Sequence, residues 1–274
     1  MRQRVIPGLG VSLGITLLYL STIVLLPLAA LVLQAAQIEL AQLLAILSSP
    51  RTLAAIRVTV TTALIATLFN AVYGLLLAWV LARYEFPGKS LLDALIDVPF
   101  ALPTAVAGLA LVALFAKNGW FGAPLAGIGI EVAYTPLGIM IAMAFTSIPF
   151  VVRSVQPVLE TLPRDVEEAA STLGANQWQI MRAVIFPAIL PALLSGCALS
   201  FARSLGEFGA VIFIAGNLPM KTEIVSLLTF IRLEEFDYVA AAAIACTMLF
   251  AAFMMLLVIN AIQSWQLRYV GRGE

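Results

Sequence analysis

Hydrophobic residues run along this chain in long, nearly unbroken blocks, and the polar residues gather between them. Six blocks stand out, at about 9–33, 55–82, 91–116, 134–153, 188–214 and 238–264. A helix needs roughly 20 apolar residues to cross about 30 Å of hydrocarbon, and every block is long enough. Lipid offers the backbone no hydrogen-bond partners, so these blocks are read as helices and not as strands. Arg57 and Asn70 interrupt the second block, and Pro99, Pro103 and Pro149 are expected to break or bend their spans. The pattern predicts an all-α membrane protein with six transmembrane helices.

Composition agrees. Hydrophobic residues make up 62% of the 274 and charged residues only 11%, with a mean hydropathy of +1.04. A soluble domain carries about 25% charged residues, so the bilayer is the natural solvent here. A net charge of +0 leaves no basic footprint for nucleic acid. Histidine is absent, which removes Ser-His and Cys-His nucleophilic chemistry and the commonest metal ligand together. Cys197 and Cys246 lie inside apolar stretches and read as small buried residues rather than a disulfide or zinc site. The block from Leu9 to Leu33 is too long for a signal peptide's core and reads as a retained first span.

Two motifs are decoys. Gly10-Val-Ser-Leu-Gly14 fits the nucleophile-elbow pattern, but the chain holds no histidine to act as its base, and the spacing suits helix packing. Gly88-Lys89-Ser90 resembles the end of a phosphate-binding loop, yet position 83 is Arg and no strand precedes it. The chain itself is not expected to bind ATP.

Lysine and arginine orient the spans. With the N-terminus inside, Arg2, Arg4, Arg83, Lys89, Arg153, Arg164, Arg182, Arg268 and Arg272 fall on the inner side. Only Arg51, Arg57, Lys117, Lys221 and Arg232 fall outside, and Arg203 stays within a span. This excess places both termini in the cytoplasm. Residues 34–56 and 215–237 then form outer segments, the former mildly amphipathic, while 153–186 lies inside.

That inner segment is the most informative. Asp165 and Glu168 have capping-box spacing, Gly174 suits a helix-ending left-handed turn, and Val166, Ala169, Ala170 and Leu173 share one apolar face. Asn176 and Gln179 are placed to cap a second short helix, whose end Pro187 is expected to mark. The product is a helical hairpin with an alanine-lined face that a partner's groove can approach closely.

Glu168-Ala169-Ala170, Gly174 and then Val184-Ile185-Phe186-Pro187 after nine residues resemble the EAA loop of ABC-importer permeases. Val184 and Phe186 stand where Ile and Leu are usual. Residues 97–108, Asp97 to Gly108, are similar to the third-span signature of sulfate and molybdate permeases. Residues 200–217, Ser200 to Asn217, resemble the sulfate branch and its T-type subunit. The resemblance implies a type I (MetI-like) permease core over 55–264 with its EAA loop at 158–187. Residues 1–54 hold an extra first helix and the outer segment, and 265–274 a cytoplasmic tail. It further implies a second, homologous permease, two cytoplasmic ATPase subunits that bind the ATP and Mg, and a periplasmic sulfate-binding protein. Glu168, Ala169, Ala170, Gly174 and Pro187 become the ATPase-coupling residues, and nothing in the chain is catalytic.

Arg203 and Glu207 are four residues apart in the fifth block and are expected to share a helical face. An unpaired central Arg costs roughly 2.5–3.5 kcal/mol in lipid, so a partner or polar cavity is required. Two readings stay open: a structural ion pair, or an arginine beside the anion path whose charge Glu207 tempers. Asp93 and Asp97, also four apart, are read as structural. A molybdate or tungstate permease is the nearest functional alternative. An ion-driven secondary transporter and an intramembrane hydrolase are the more distant ones.

Overall fold

The computed structural model describes residues 9–270, without the side chains of 258–260 and 262–270. Arg2, Arg4, Arg272 and the end of the expected tail lie outside the described residues. All the regular secondary structure among the described residues is helical, with no strand. In chain order the helices are α1 (Leu9–Ala36), α2 (Leu40–Leu47), α3 (Pro50–Arg83), α4 (Lys89–Ala101), α5 (Thr104–Phe115) and α6 (Gly122–Gly127). Then come α7 (Pro136–Thr161), α8 (Arg164–Thr172), α9 (Gln177–Leu205), α10 (Gly209–Ile214), α11 (Val225–Glu234) and α12 (Tyr238–Val270).

Five helices are long and apolar enough to cross a membrane alone: α1, α3, α7, α9 and α12. The pair α4 and α5, bent by 114° at Leu102–Pro103, is long and apolar enough only when the two are counted together, which brings the candidate spans among the described residues to six at most. The break falls at Pro103, as expected from a residue that lacks an N–H and clashes with the preceding turn. Pro99 and Pro149 sit inside α4 and α7 without ending them. The fifth block differs from expectation, because its helix stops at Leu205 and restarts at Gly209 as the short α10.

Helices α3, α7 and α9 form the heart of the bundle. Deep between them, Asn70 of α3 donates to Ala144 O (3.1 Å), Ser147 Oγ (2.9 Å) and Ser200 Oγ (3.2 Å). Ser200 and Ser204 both donate to Ser147 Oγ, at 3.0 and 3.2 Å. The residue that interrupts the second block is therefore the hub of a buried polar knot that fixes the register of three helices. By contrast α1 has no buried residue among the described ones and packs mainly along α12, where Cys246 Sγ reaches Leu31 O at 3.5 Å.

Asp93 and Asp97 find one partner. Arg153 of α7 gives Nε and Nη2 to Asp97 (2.9 and 2.7 Å), and Nη1 to Asp93 Oδ1 (2.6 Å) and Gln156 Oε1 (2.9 Å). One guanidinium thus ties α4 to α7, which answers why two like charges stand one turn apart. Arg153→Ala is expected to lower stability by about 1–2 kcal/mol, because these half-exposed carboxylates lose a forked, charge-assisted partner. Thermal melting of the purified permease checks this; an unchanged midpoint would refute it.

Candidate coupling surface and membrane charge pair

The hairpin is built from α8, a tight turn and the start of α9. Helix α8 begins after Pro163, which serves as its N-cap with no side-chain hydrogen bond. The expected Asp165–Glu168 capping box is therefore absent, because Asp165 already lies inside the first turn, where its charge still suits the positive helix end. Gly174 has φ +87°, and its N–H reaches Ser171 O (2.9 Å) while Ala175 N–H reaches Ala170 O (3.1 Å). These two bonds close a Schellman turn that only glycine enters without strain. Asn176 and Gln179 exchange side chain to backbone bonds of 2.9 and 2.8 Å, completing the capping box expected there.

Along α8 the predicted apolar face divides. Ala170 packs inward against the bundle, whereas Val166, Ala169 and Leu173 are exposed, Leu173 at 88%, and the exposed Glu168 lines a cleft beside Trp79 and Arg83. Trp178 at the start of α9 is 70% exposed. An outward apolar stripe with an acidic residue beside it is left without a partner in the isolated chain. Arg83, at the end of α3, holds the inner edge of α8 through an ion pair with Glu167, and stacks its cation over Trp79. Sequence spacing gave no sign of that contact, since 84 residues separate the pair.

Pro187 does not end the second arm. Helix α9 continues from Gln177 to Leu205, because residues Met181–Ile185 form a π-turn in which Phe186 N–H bonds Met181 O. Widening the turn before the proline accommodates its ring and its missing donor. The same device, Ser21–Leu25, precedes Pro27 in α1. One unbroken rod therefore runs from the hairpin into the bundle, about 42 Å at 1.5 Å per residue.

At the far end of the rod sit Arg203 and Glu207. Arg203 occupies the last turn of α9, and Glu207 lies in the break before α10, so the two do not share one helix as expected. They still pair, Arg203 Nη1 to Glu207 Oε2 at 2.7 Å, with the geometry of an ion pair rather than a directed hydrogen bond. Glu207 is 1% exposed and Arg203 partly exposed. Glu207 Oε1 also accepts from Ala210 N–H (2.9 Å), and its carbonyl accepts from Ser226 Oγ (2.7 Å). The carboxylate thus serves both the arginine and the open start of α10. At Gly209 a Cβ would come within 2.1 Å of Thr104 Oγ1, so α10 and the start of α5 meet at backbone distance. Two broken spans therefore pack against each other beside the pair. The segment between α10 and α11 is anchored separately, by a forked bond from Arg51 Nε and Nη2 to buried Glu223 (2.9 and 2.6 Å).

Residues 74–273 match the family described as binding-protein-dependent transport system inner membrane component. The chain belongs to that family. This permease is 58% identical over 262 residues to the sulfate transport system permease protein CysT of Escherichia coli K12, covering 96% of this chain and 95% of that protein. It is 46% identical to CysT of Synechocystis, covering 93% and 89%. In fold, the permease is similar to a subunit of a bacterial alginate ABC transporter crystallised with a pentasaccharide-bound periplasmic protein. That match has TM-score 0.77 and 17% identity, and covers 93% of each chain. An amino acid ABC transporter gives TM-score 0.54 at 18% identity, covering 78% of the permease and 94% of its own chain. The permease is thus an all-α, multi-pass membrane protein with the type I (MetI-like) permease core.

Proposed function

We propose that this chain is the T-type permease subunit of an ATP-driven importer of sulfate and thiosulfate in the bacterial cytoplasmic membrane. The observation that carries the reading is the likeness at 58% identity to a sulfate permease along nearly its whole length. In this reading a second, homologous permease completes the pathway, and a periplasmic protein delivers the anion. Two cytoplasmic ATPases bind ATP and Mg and dock on Val166, Glu168, Ala169 and Leu173. Both termini and the α8 hairpin then face the cytoplasm.

The hairpin's own geometry supports a lever. Ala170 and the Arg83–Glu167 pair tie α8 to the bundle, and the rod of α9 leads on without a loop to absorb displacement. Closure of the ATPase dimer pushes α8, and α9 carries the motion to Arg203, Glu207 and the break before α10. Alternating access follows as the broken spans α5 and α10 move with the rod. Glu168, Ala169, Ala170, Gly174 and Pro187 serve coupling in this scheme, and Arg203 and Glu207 serve the pathway or its framework.

The test is uptake of labelled sulfate into proteoliposomes holding both permeases, the ATPases and the binding protein. ATP-dependent accumulation that excess molybdate fails to suppress is expected. Accumulation without any ATPase, or preferred uptake of molybdate, would overturn the assignment.

A further inference from the structure

Helices α3 and α7 run side by side in the same direction, and a continuous seam follows their exposed face. Its lower part is a groove of about 380 Å³ lined throughout by apolar side chains, among them Ile65, Phe69, Met140, Ile141, Phe145 and Ile148. Its upper part is a cleft of about 450 Å³ that shares Met140 and is lined also by Arg57, Thr61 and Pro136. On α3 the lining positions 54, 57, 58, 61, 62, 65, 66 and 69 recur at helical spacing, so groove and cleft are one feature.

Arg57 stands apart from the other arginines of α3 and α7. Arg51 is bound by Glu223, Arg83 by Glu167 and Arg153 by Asp93 and Asp97. Arg57 is exposed and has no ion pair or side-chain hydrogen bond among the described residues. The threonines beside it spend their hydroxyl protons on backbone carbonyls, Thr61 on Arg57 O (2.7 Å) and Thr62 on Val58 O (2.7 Å). A fixed positive charge thus sits unanswered at the head of an oily groove.

Depth decides what answers it. About 30 Å of hydrocarbon spans some twenty helical residues, and centred on the 34 residues of α3 it covers about 57–76. Arg57 then lies at the boundary between hydrocarbon and headgroups, and Phe69, about 18 Å further, lies just past the midplane. That spacing matches one leaflet. We infer that the α3–α7 seam binds a phospholipid of that leaflet, with Arg57 on the headgroup phosphate and one acyl chain along Ile65, Phe69 and Phe145. A net anionic headgroup is favoured, because no carboxylate among the described residues pairs with the arginine. The inference rests on the membrane-spanning architecture and is independent of which anion is transported.

Native mass spectrometry of the complete purified transporter, titrated with phosphatidylglycerol, tests this. The wild-type complex is expected to retain the lipid. Arg57→Ala and, separately, the groove-filling Ile65→Trp are each expected to weaken retention at least ten-fold, while Arg57→Lys keeps it within a few-fold. Phosphatidylcholine should bind more weakly than phosphatidylglycerol to wild type and equally to Arg57→Ala. Retention unchanged in both Arg57→Ala and Ile65→Trp overturns the inference. So does efficient cross-linking of the Ile65→Cys variant to the second permease, which would show a protein helix in the groove.

Discussion

Replacing Arg203 by alanine is expected to cost the permease about 3–5 kcal/mol, because it strands the Glu207 carboxylate, 1% exposed, without a counter-charge. The reverse change, Glu207→Gln, is expected to be milder. Arg203 is only partly buried, and the Gln oxygen can still accept from Ala210 N–H. The double variant Arg203→Ala/Glu207→Gln should recover most of the lost stability, since neither side chain then carries a buried charge. Thermal melting and the yield of assembled complex measure all three. A single Arg203→Ala variant that melts like wild type would disprove the argument. Sulfate uptake by the double variant then separates the two roles left open by the sequence. Restored assembly with restored uptake makes the pair a framework contact. Restored assembly without uptake places Arg203 on the anion.

Leu173→Asp should have the opposite profile. At 88% exposure the side chain contributes little to the isolated fold, so stability is expected to change by no more than about 0.5 kcal/mol. If the outward face of α8 seats in an ATPase cleft, a charge at its apolar tip removes an anchor worth about 2 kcal/mol or more. ATPase affinity for the permease pair should fall roughly 30-fold, and uptake with it. Equal affinity and equal uptake in this variant would exclude Leu173 from the docking surface.

The spans were legible because lipid imposes a simple demand: an uninterrupted apolar helix of fixed length. The turn at Gly174 and the cap at Asn176 were legible because each depends on residues only a few positions apart. Local patterns failed where a distant partner decides the outcome. Asp165 and Glu168 have capping-box spacing, but Pro163 takes the cap position and Glu168 is left exposed. Asp93 and Asp97 look repulsive until Arg153, more than fifty residues away, is brought between them. The stop at Leu205 has no local sequence sign, because apolar residues continue on both sides of it, and Glu207 reaches forward across the interruption to Ala210. Pro187 has the sequence mark of a stop, and nothing near it in the sequence signals that the preceding turn widens.

That widened turn sets a compass bearing. A π-turn contains one residue more than the α-helical repeat, and one residue corresponds to about 100° around the axis. The surplus in Met181–Ile185 therefore rotates the arm bearing Trp178 and the Gly174 corner relative to the wall that Ser200 and Ser204 present to the bundle. Removing a single residue there would restore the α-helical repeat and leave Pro187 to be accommodated by a kink instead. The hairpin would then point a quarter-turn away from whatever it now meets.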